Sequence, residues 1–210
     1  MTEKRGGRPT RERAAAMNDL LLDEARARFA RRGVAGTSME EIAAALGWSK
    51  HTLYHRYAGK MALLEAVVAR DMVQFAQVLT EAGEGHATPL ERLEAMALAY
   101  FTLSATPSYA ALYAAILLEA ASSPDLRQRL MLWSAESLAP LRAAVEAATP
   151  PAGWRVEEDV AAILIDLLDG EANRLKWAEG AADKIVLEAH FRKRWRLFLY
   201  ATLGEAGARP

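Results

Sequence analysis

The sequence contains no cysteine, which excludes disulfide bonds and thiolate metal sites. It also lacks stretches in which β-branched or aromatic residues alternate with polar ones, so strands are not expected. Charged residues occur throughout the N-terminal segment, which argues against a secretory signal. Alanine, a strong helix former, is abundant within a hydrophobic fraction of 52%. We therefore predict an all-α protein located in the cytoplasm, and 210 residues suffice to bury a sizeable core.

The net charge of −1 conceals an uneven distribution of charge along the chain. Residues 1–60 contain 12 Lys and Arg against 7 Asp and Glu, whereas the remainder contains 14 against 20. A basic first part on an acidic body predicts that only the first part meets nucleic acid. Lys4, Arg5 and Arg8 form a basic arm that either contacts a minor groove or phosphates, or is a solvated tail.

Residues 37–60 read as two short helices joined by a tight turn. Thr37 and Glu40 have the spacing of a capping box at the start of the first helix. Gly47 falls where that helix should stop and where the backbone needs a positive φ. Ser49 is a good cap for the second helix. This arrangement predicts a helix-turn-helix.

The second helix of this pair has two different faces. Leu53 and Tyr57 are four residues apart and are expected to pack inward. The remaining positions are donors, cations and amphipathic rings, which suit phosphates and base edges in a major groove. No acidic residue occurs between Gly47 and Lys60, and this favours a polyanionic partner. The positions concerned are Lys50, His51, Thr52, Tyr54, His55 and Arg56.

The N-terminal third carries many residue types of one known family at fixed spacing. The pattern is Leu21-Leu22, Ala25, Phe29, Gly33, Thr37, Glu41-Ile42-Ala43, Leu46-Gly47, Ser49, Thr52-Leu53-Tyr54, Tyr57, Gly59-Lys60 and Leu63-Leu64. It resembles the DNA-binding domain of the tetracycline-repressor-like (TetR) family of transcription regulators. Two positions depart from the family pattern: Tyr57 stands where Phe is usual, and Met61 stands where an acidic residue is common.

The resemblance implies a ligand-responsive transcriptional regulator that binds a palindromic operator as a homodimer, usually as a repressor. It implies two domains, with the helix-turn-helix and the arm in residues 1–64 and a helical ligand-binding and dimerisation domain in residues 65–210. It further implies that Lys60, at the start of a fourth helix, holds a phosphate. The expected DNA contacts are Thr37, Ser38, Ser49, Lys50, His51, Thr52, Tyr54, His55, Tyr57 and Lys60.

In the body of the chain, residues 65–210, the sequence indicates where the first helices begin and where they are interrupted. Thr88 and Pro89 fit the cap and first position of a helix. Residues 95–118 carry no charge, so a membrane span has to be weighed. The sequence Thr106-Pro107-Ser108 interrupts this run, and its halves are too short to cross a bilayer. We therefore predict two buried helices here and no membrane partner.

Later in the body, a helix starts at Ser123-Pro124 and is expected to kink at Pro140. The next helix is predicted from Val156 onward, with Gly170 in its interior, where close approach of a neighbouring backbone would explain the glycine. Because the last two helices are long and amphipathic, we expect them to form a four-helix interface with a second copy, or else to pack only within one chain. The interface candidates are Ile163, Leu167, Gly170, Phe191, Trp195 and Phe198.

The middle of the body is expected to hold a cavity for a small apolar or amphipathic effector. Its predicted walls combine aromatic rings with a few polar groups, although plain core packing is the alternative for each ring. The candidates are Phe75, Tyr100, Phe101, Tyr109, Tyr113, Trp133 and Trp177, together with Asp166, Asp169, Asn173 and Arg174.

Catalysis and metal binding find little support in the sequence. His51 and His55 have a spacing that metals use, but no other ligand type lies near them in the helix. Asp166 and Asp169 could act as paired carboxylates, yet no nucleophile motif, histidine partner or glycine-rich phosphate loop accompanies them. We therefore expect no enzyme, no cofactor and no metal. A small helical enzyme and a protein-interaction module with weak DNA binding are the alternatives to a regulator.

Overall fold

The computed structural model describes residues 11–150, 153–156, 159–175 and 183–204, and this part of the chain contains nine α-helices and no strand. The predicted basic arm lies outside the described residues. The helices are α1 (Arg11–Arg32), α2 (Met39–Ala45), α3 (Lys50–Arg56), α4 (Lys60–Ala82), α5 (Pro89–Ser104), α6 (Pro107–Ser122), α7 (Pro124–Ala147), α8 (Val160–Leu175) and α9 (Lys184–Leu203).

The chain divides into two compact units, Met1–Val68 and Ala69–Pro210. The boundary between the units falls inside α4, so that helix starts in the first unit and ends in the second. The boundary predicted after residue 64 also lies within this helix.

The first unit is built around the apolar stripe of α1. Side chains at positions 21, 22, 25 and 29 follow the helical repeat and are buried, because this spacing places them on one face. Gly33 then adopts a φ of +70° and ends the helix, as its position predicted. The core of this unit includes Leu21, Leu22, Ala25, Phe29, Ile42, Leu53, Leu63 and Leu64.

The second unit is organised around α5, which packs against α6, α7, α8 and α9. Thr88 caps α5 with a capping box that includes Glu91, and Pro89 occupies the first turn, as predicted. The core continues along α8 and α9 through Leu164, Leu168, Phe191, Trp195 and Phe198.

The uncharged segment is divided at the predicted place, since α5 ends at Ser104 and α6 begins at Pro107. No single helix among the described residues is long and apolar enough to cross a membrane. Helices α5 and α6 satisfy the length and composition criteria only when taken together, across a bend of 73°.

Helix α8 begins at Val160, four residues later than the predicted start at Val156. The reason is Asp159, whose carboxylate accepts a hydrogen bond from the Ala162 amide at 3.0 Å and caps the helix. Arg142 donates to the same carboxylate at 2.7 Å and holds the pKa of Asp159 below its ordinary value. Trp154 and Arg155, which precede Val156, are not capping residue types, whereas Asp159 is one.

Candidate DNA-binding surface and ligand cavity

Helix α2 is capped one residue later than the sequence suggested. Ser38 is the N-cap: its hydroxyl accepts from the Glu41 amide at 3.1 Å, and the Glu41 carboxylate accepts from the Ser38 amide at 3.4 Å. The predicted box of Thr37 and Glu40 is therefore wrong. Thr37 is buried, and its hydroxyl donates to the Gly33 carbonyl at 2.8 Å instead. This bond ties the end of α1 to the start of α2, a tertiary role that leaves the capping position to Ser38.

The turn between α2 and α3 closes with two specific backbone bonds. The Trp48 amide donates to the Ala43 carbonyl at 2.8 Å, and the Gly47 amide donates to the Ala44 carbonyl at 3.1 Å. These are the two bonds of a Schellman motif, which requires a left-handed residue between them. Gly47 supplies it with a φ of +66°, as its position predicted.

Helix α3 is fixed at its N-terminus and on its inner face. The Ser49 hydroxyl accepts from the Thr52 amide at 3.1 Å, which confirms Ser49 as its cap. Leu53 is fully buried and anchors the helix in the first unit. The hydroxyls of Ser49 and Thr52 lie 2.8 Å apart and share a hydrogen bond. The side chains left exposed are Lys50, His51, Thr52, Tyr54, His55 and Arg56.

Two cations on this surface have neighbours that sequence spacing did not reveal. The Lys50 ammonium lies 2.5 Å from a Glu40 carboxylate oxygen and 5.4 Å from the Tyr54 ring centroid. The hydrogen bond with Lys50 lowers the pKa of Glu40, and the same bond raises the pKa of Lys50. The Arg56 guanidinium lies 5.2 Å from the Trp48 ring centroid. The exposed surface is thus free of acidic residues within α3, but α2 brings one carboxylate to it.

Tyr57 and Lys60 are held by contacts within the first unit. The Tyr57 hydroxyl donates to the Asn18 side chain at 3.0 Å, so the ring joins the end of α3 to α1. The Lys60 ammonium donates to the Thr37 carbonyl at 2.9 Å and approaches the Ala35 carbonyl at 3.5 Å. Both side chains thereby hold the backbone of the helix-turn-helix in place.

The rings of His51 and His55 are 6.4 Å apart on the outer side of α3. Within the described part of the chain, no cluster of three or more His, Asp or Glu side chains has the arrangement of a metal site.

A cavity of about 510 Å³ lies within the second unit. Its size falls in the range of small-molecule sites. Helices α4, α5, α6, α7 and α8 all contribute to its wall. The lining residues are Met72, Phe75, Tyr100, Ser104, Pro107, Tyr109, Ala110, Ala111, Tyr113, Ala114, Leu117, Ser134, Ser137, Leu138, Ile165, Asp169 and Asn173.

Several of the predicted wall residues are on this cavity and others are not. Phe75, Tyr100, Tyr109, Tyr113, Asp169 and Asn173 line it. Phe101 is fully buried in the core instead, because it faces α9 and its ring lies 6.1 Å from that of Phe191. Trp133 and Asp166 are outside the wall, the latter on the exposed side of α8, and Arg174 pairs with Glu171. Trp177 lies outside the described residues.

The aromatic side chains of the wall contact one another in sequence. The angle between ring planes differs from pair to pair. The Phe75 and Tyr100 rings meet edge to face with their centroids 5.6 Å apart, Phe75 and Tyr109 stack at 5.6 Å, and Tyr109 and Tyr113 stack at 6.1 Å. The Tyr100 hydroxyl donates to an Asp169 oxygen at 2.7 Å. Burial is the main cause that raises the pKa of both Tyr100 and Tyr113, and the charge of Asp169 raises it further. Both hydroxyls therefore stay protonated.

The predicted interface aromatics lie inside the second unit. Phe191, Trp195 and Phe198 are 2%, 4% and 0% exposed, because their stripe on α9 packs into the core of the same chain. They have almost no surface to offer a second copy, so the alternative of packing within one chain applies to them. Ile163 and Leu167 are half-buried against this core.

The exposed side of α9 carries a different apolar stripe. Val186, Leu197 and Tyr200 recur at the helical repeat on the side opposite the buried rings, and their exposed fractions are 45%, 49% and 56%. Gly170 is exposed on α8, and a β-carbon there would meet no atom of the described residues within 4 Å. Within this part of the chain, no neighbouring backbone makes the close approach that was expected at Gly170.

A buried carboxylate links α8 to α9 and was not anticipated from the sequence. Glu171 receives hydrogen bonds from Arg174 at 2.5 Å, from His190 at 2.5 Å and from Arg194. Burial by itself would raise the pKa of Glu171, but the hydrogen bonds from His190 and Arg174 and the charge of Arg194 outweigh it and lower the pKa. Arg194, nearly three turns into α9, is 23 positions from Glu171 in sequence. Local sequence spacing therefore could not predict this contact.

A helix-turn-helix unit followed by a larger helical unit with a cavity is the architecture of a DNA-binding transcriptional regulator. Residues 21–67 match the family model described as "Bacterial regulatory proteins, tetR family". This match confirms the TetR-type DNA-binding domain that the sequence pattern predicted for the first unit. Members of this family are transcriptional regulators and not enzymes. No curated protein matches the chain in sequence.

Solved structures of similar fold extend this likeness beyond the first unit. A putative TetR-family transcriptional regulator from Mesorhizobium loti superposes with a TM-score of 0.75 at 23% identity, covering 90% of this chain and 98% of that one. A putative transcriptional regulator from Saccharomonospora viridis, solved in complex with choline, gives 0.74 at 17% identity with coverages of 90% and 98%. A TetR-like regulator from Rhodococcus sp. RHA1 gives 0.60 at 25% identity with coverages of 90% and 97%.

Proposed function

We propose that the protein is a ligand-responsive repressor that binds a palindromic operator as a homodimer. The observation that carries this proposal is the exposed side of α3. A capped helix, anchored by Leu53, offers Lys50, His51 and Thr52 in its first turn and Tyr54 and His55 in its second. Recognition helices of this type contact base edges chiefly through residues near their N-terminus.

The residues of the site divide into two groups in this proposal. Lys50, His51, Thr52 and Tyr54 reach base edges or adjacent phosphates. Ser38, Tyr57 and Lys60 fix the orientation of the helices, since each is bonded within the first unit. A single helix-turn-helix contacts few base pairs, and pairing two copies about 34–36 Å apart supplies the specificity that one copy lacks.

The cavity of the second unit is the proposed effector site. Met72 and Phe75 on its wall belong to α4, and the same helix begins at Lys60 in the first unit. A ligand that contacts α4 differently in two conformations shifts their equilibrium by its differential affinity for them. The choline complex of the similar regulator from S. viridis supports a small molecule as the effector here. Effector binding then releases the operator.

The experiment begins with an operator selected from random DNA by the purified protein. Tyr54→Ala should weaken binding to that operator about tenfold or more, whereas Tyr54→Phe, which keeps the ring, should retain most of the affinity. Because the Lys60 ammonium is proposed to hold a phosphate in addition to its bond within the first unit, Lys60→Ala should weaken binding with a salt dependence lower by about one ion. Unchanged isotherms for Tyr54→Ala and Lys60→Ala, or no enrichment of any sequence, would contradict the proposal.

A further inference from the structure

We propose that the cavity of the second unit is selective for an organic cation, specifically a quaternary or bulky tertiary ammonium. This inference rests on the proposed function only in taking the cavity as the effector site. The apolar or amphipathic effector expected from the sequence is thereby narrowed to one charge class. Four aromatic rings and one carboxylate carry the argument.

The rings provide surfaces that attract a cation. Phe75, Tyr100, Tyr109 and Tyr113 all line the cavity and form a continuous series of ring contacts. The planes of Phe75 and Tyr100 are inclined by 87°, so the series turns a corner instead of forming one flat wall. The face of an aromatic ring is electron-rich, and several rings at different angles around one volume are the usual surroundings of a bound quaternary ammonium.

The carboxylate sets the sign of the charge. Asp169 is the one formally charged residue among the lining residues of the described chain, which include no Lys, Arg or His. The Tyr100 hydroxyl donates to it at 2.7 Å and fixes its position against the rings. A charged pair is strengthened where water is excluded, so a cation gains from this site and an anion is repelled.

Size and polarity argue against a small, strongly hydrated cation. In a cavity of about 510 Å³ a small hydrated ion would make few contacts with apolar side chains such as Met72, Leu138 and Ile165, and it would gain little by giving up its water shell. Alkyl groups on nitrogen weaken hydration and fill apolar space, so a cation that carries them loses less on entry. Asn173 and Ser104 provide hydrogen-bonding groups for a polar tail.

The test compares two probes of nearly the same shape, one cationic and one neutral: acetylcholine, and its uncharged carbon analogue 3,3-dimethylbutyl acetate. Isothermal titration calorimetry on the full-length protein, without DNA, should give at least about tenfold tighter binding of acetylcholine. Equal or tighter binding of the neutral probe would overturn the proposal, and so would the absence of acetylcholine binding at millimolar concentration.

Variants assign the preference to the named residues. Asp169→Asn should reduce the preference for the cation about tenfold, whereas Asp166→Asn, which removes an exposed carboxylate from the same helix outside the cavity, should leave it unchanged. Tyr109→Leu keeps apolar bulk but removes a ring, and it should weaken acetylcholine more than the neutral probe. A preference that survives both Asp169→Asn and Tyr109→Leu would overturn the assignment.

Operator release is measured separately, with the selected operator and each probe. Cation-selective binding without any change in DNA affinity would contradict the effector role in the proposed function and leave the ligand class standing. Operator release by the neutral probe with the same potency as by acetylcholine would uphold the effector role and overturn the ligand class.

Discussion

Lys50 illustrates how a single residue on the proposed DNA-facing side is held within the protein itself. Its ammonium pairs with Glu40 from the preceding helix at 2.5 Å, and both side chains are at least half exposed. An exposed pair of this kind stabilises the fold little, because solvent and salt screen it. In the proposed complex with DNA, Glu40 would compete with phosphates for the Lys50 ammonium.

The first prediction concerns this competition. Glu40→Gln should strengthen binding to non-operator DNA and steepen its salt dependence by about one ion, because Lys50 becomes available to a phosphate. Fluorescence anisotropy over a range of salt concentrations measures both quantities. Glu84→Gln, which removes an exposed carboxylate from the turn after α4, is the matched control and should change neither. A Glu40→Gln slope equal to that of the unchanged protein would show that Lys50 does not reach DNA.

At the scale of single helices, capping decides where α2 begins. Thr37 and Ser38 are both good capping types, and their neighbours Glu40 and Glu41 both complete a box in sequence. The choice falls on Ser38 because the buried Thr37 bonds to the end of α1.

A second prediction follows for this cap. Ser38→Ala should destabilise the first unit by about 1 kcal/mol and accelerate hydrogen exchange at the Glu41 amide, which loses its acceptor. Thr106→Ala is a suitable control, because Thr106 holds the N-cap position of α6 without a side-chain capping bond. Exchange at Glu41 that is unaffected by Ser38→Ala would argue that another group caps α2.

The pairing of α8 with α9 depends on the buried Glu171. The folded pKa of this carboxyl is lowered from its ordinary value of 4.5, so its stabilising contribution is fully present above pH 4.5 and is lost as pH falls through the lowered value.

The third prediction tests this linkage. Glu171→Gln should lower the free energy of unfolding by about 1–3 kcal/mol near pH 7, and the difference from the unchanged protein should shrink as the pH drops below 4.5. Urea denaturation at several pH values measures it, with Glu136→Gln on the exposed side of α7 as the control. A difference that is constant across this pH range would mean that the ionised form of Glu171 contributes nothing.

At the scale of the whole molecule, the proposed homodimer needs a surface that the fold of one chain leaves uncovered. The buried rings of α9 do not provide it, whereas the stripe of Val186, Leu197 and Tyr200 is exposed. Isologous dimers of helical proteins pair such stripes across a two-fold axis.

The fourth prediction is that Leu197→Glu converts the dimer to a monomer and weakens operator binding, because a charge enters the apolar contact. Sedimentation velocity gives the oligomeric state. Leu118→Glu, on the exposed side of α6, introduces the same change at a position that is 74% exposed and should leave the dimer intact. A Leu197→Glu protein that remains dimeric would place the interface elsewhere.

The sequence by itself determined the helical class, the helix-turn-helix, the family of the first unit and the main breaks in the body. Helix starts and ends could be predicted at Gly33, Gly47, Ser49, Thr88-Pro89 and before Pro107. Capping side chains, positive φ at glycine and the lack of an amide donor in proline all act on the backbone within a few residues, so local sequence suffices to locate them.

Only the tertiary structure decided between equivalent local candidates and assigned each side chain its surroundings. It selected Ser38 over Thr37, placed Phe101 in the core but Tyr100 on the cavity, and turned the large rings of α9 inward. It also joined Tyr100 to Asp169 across 69 positions and gathered Arg174, His190 and Arg194 around Glu171. Periodicity identifies the apolar face of a helix, but what that face contacts depends on partners distant in the chain, and these partners meet only when the helices pack.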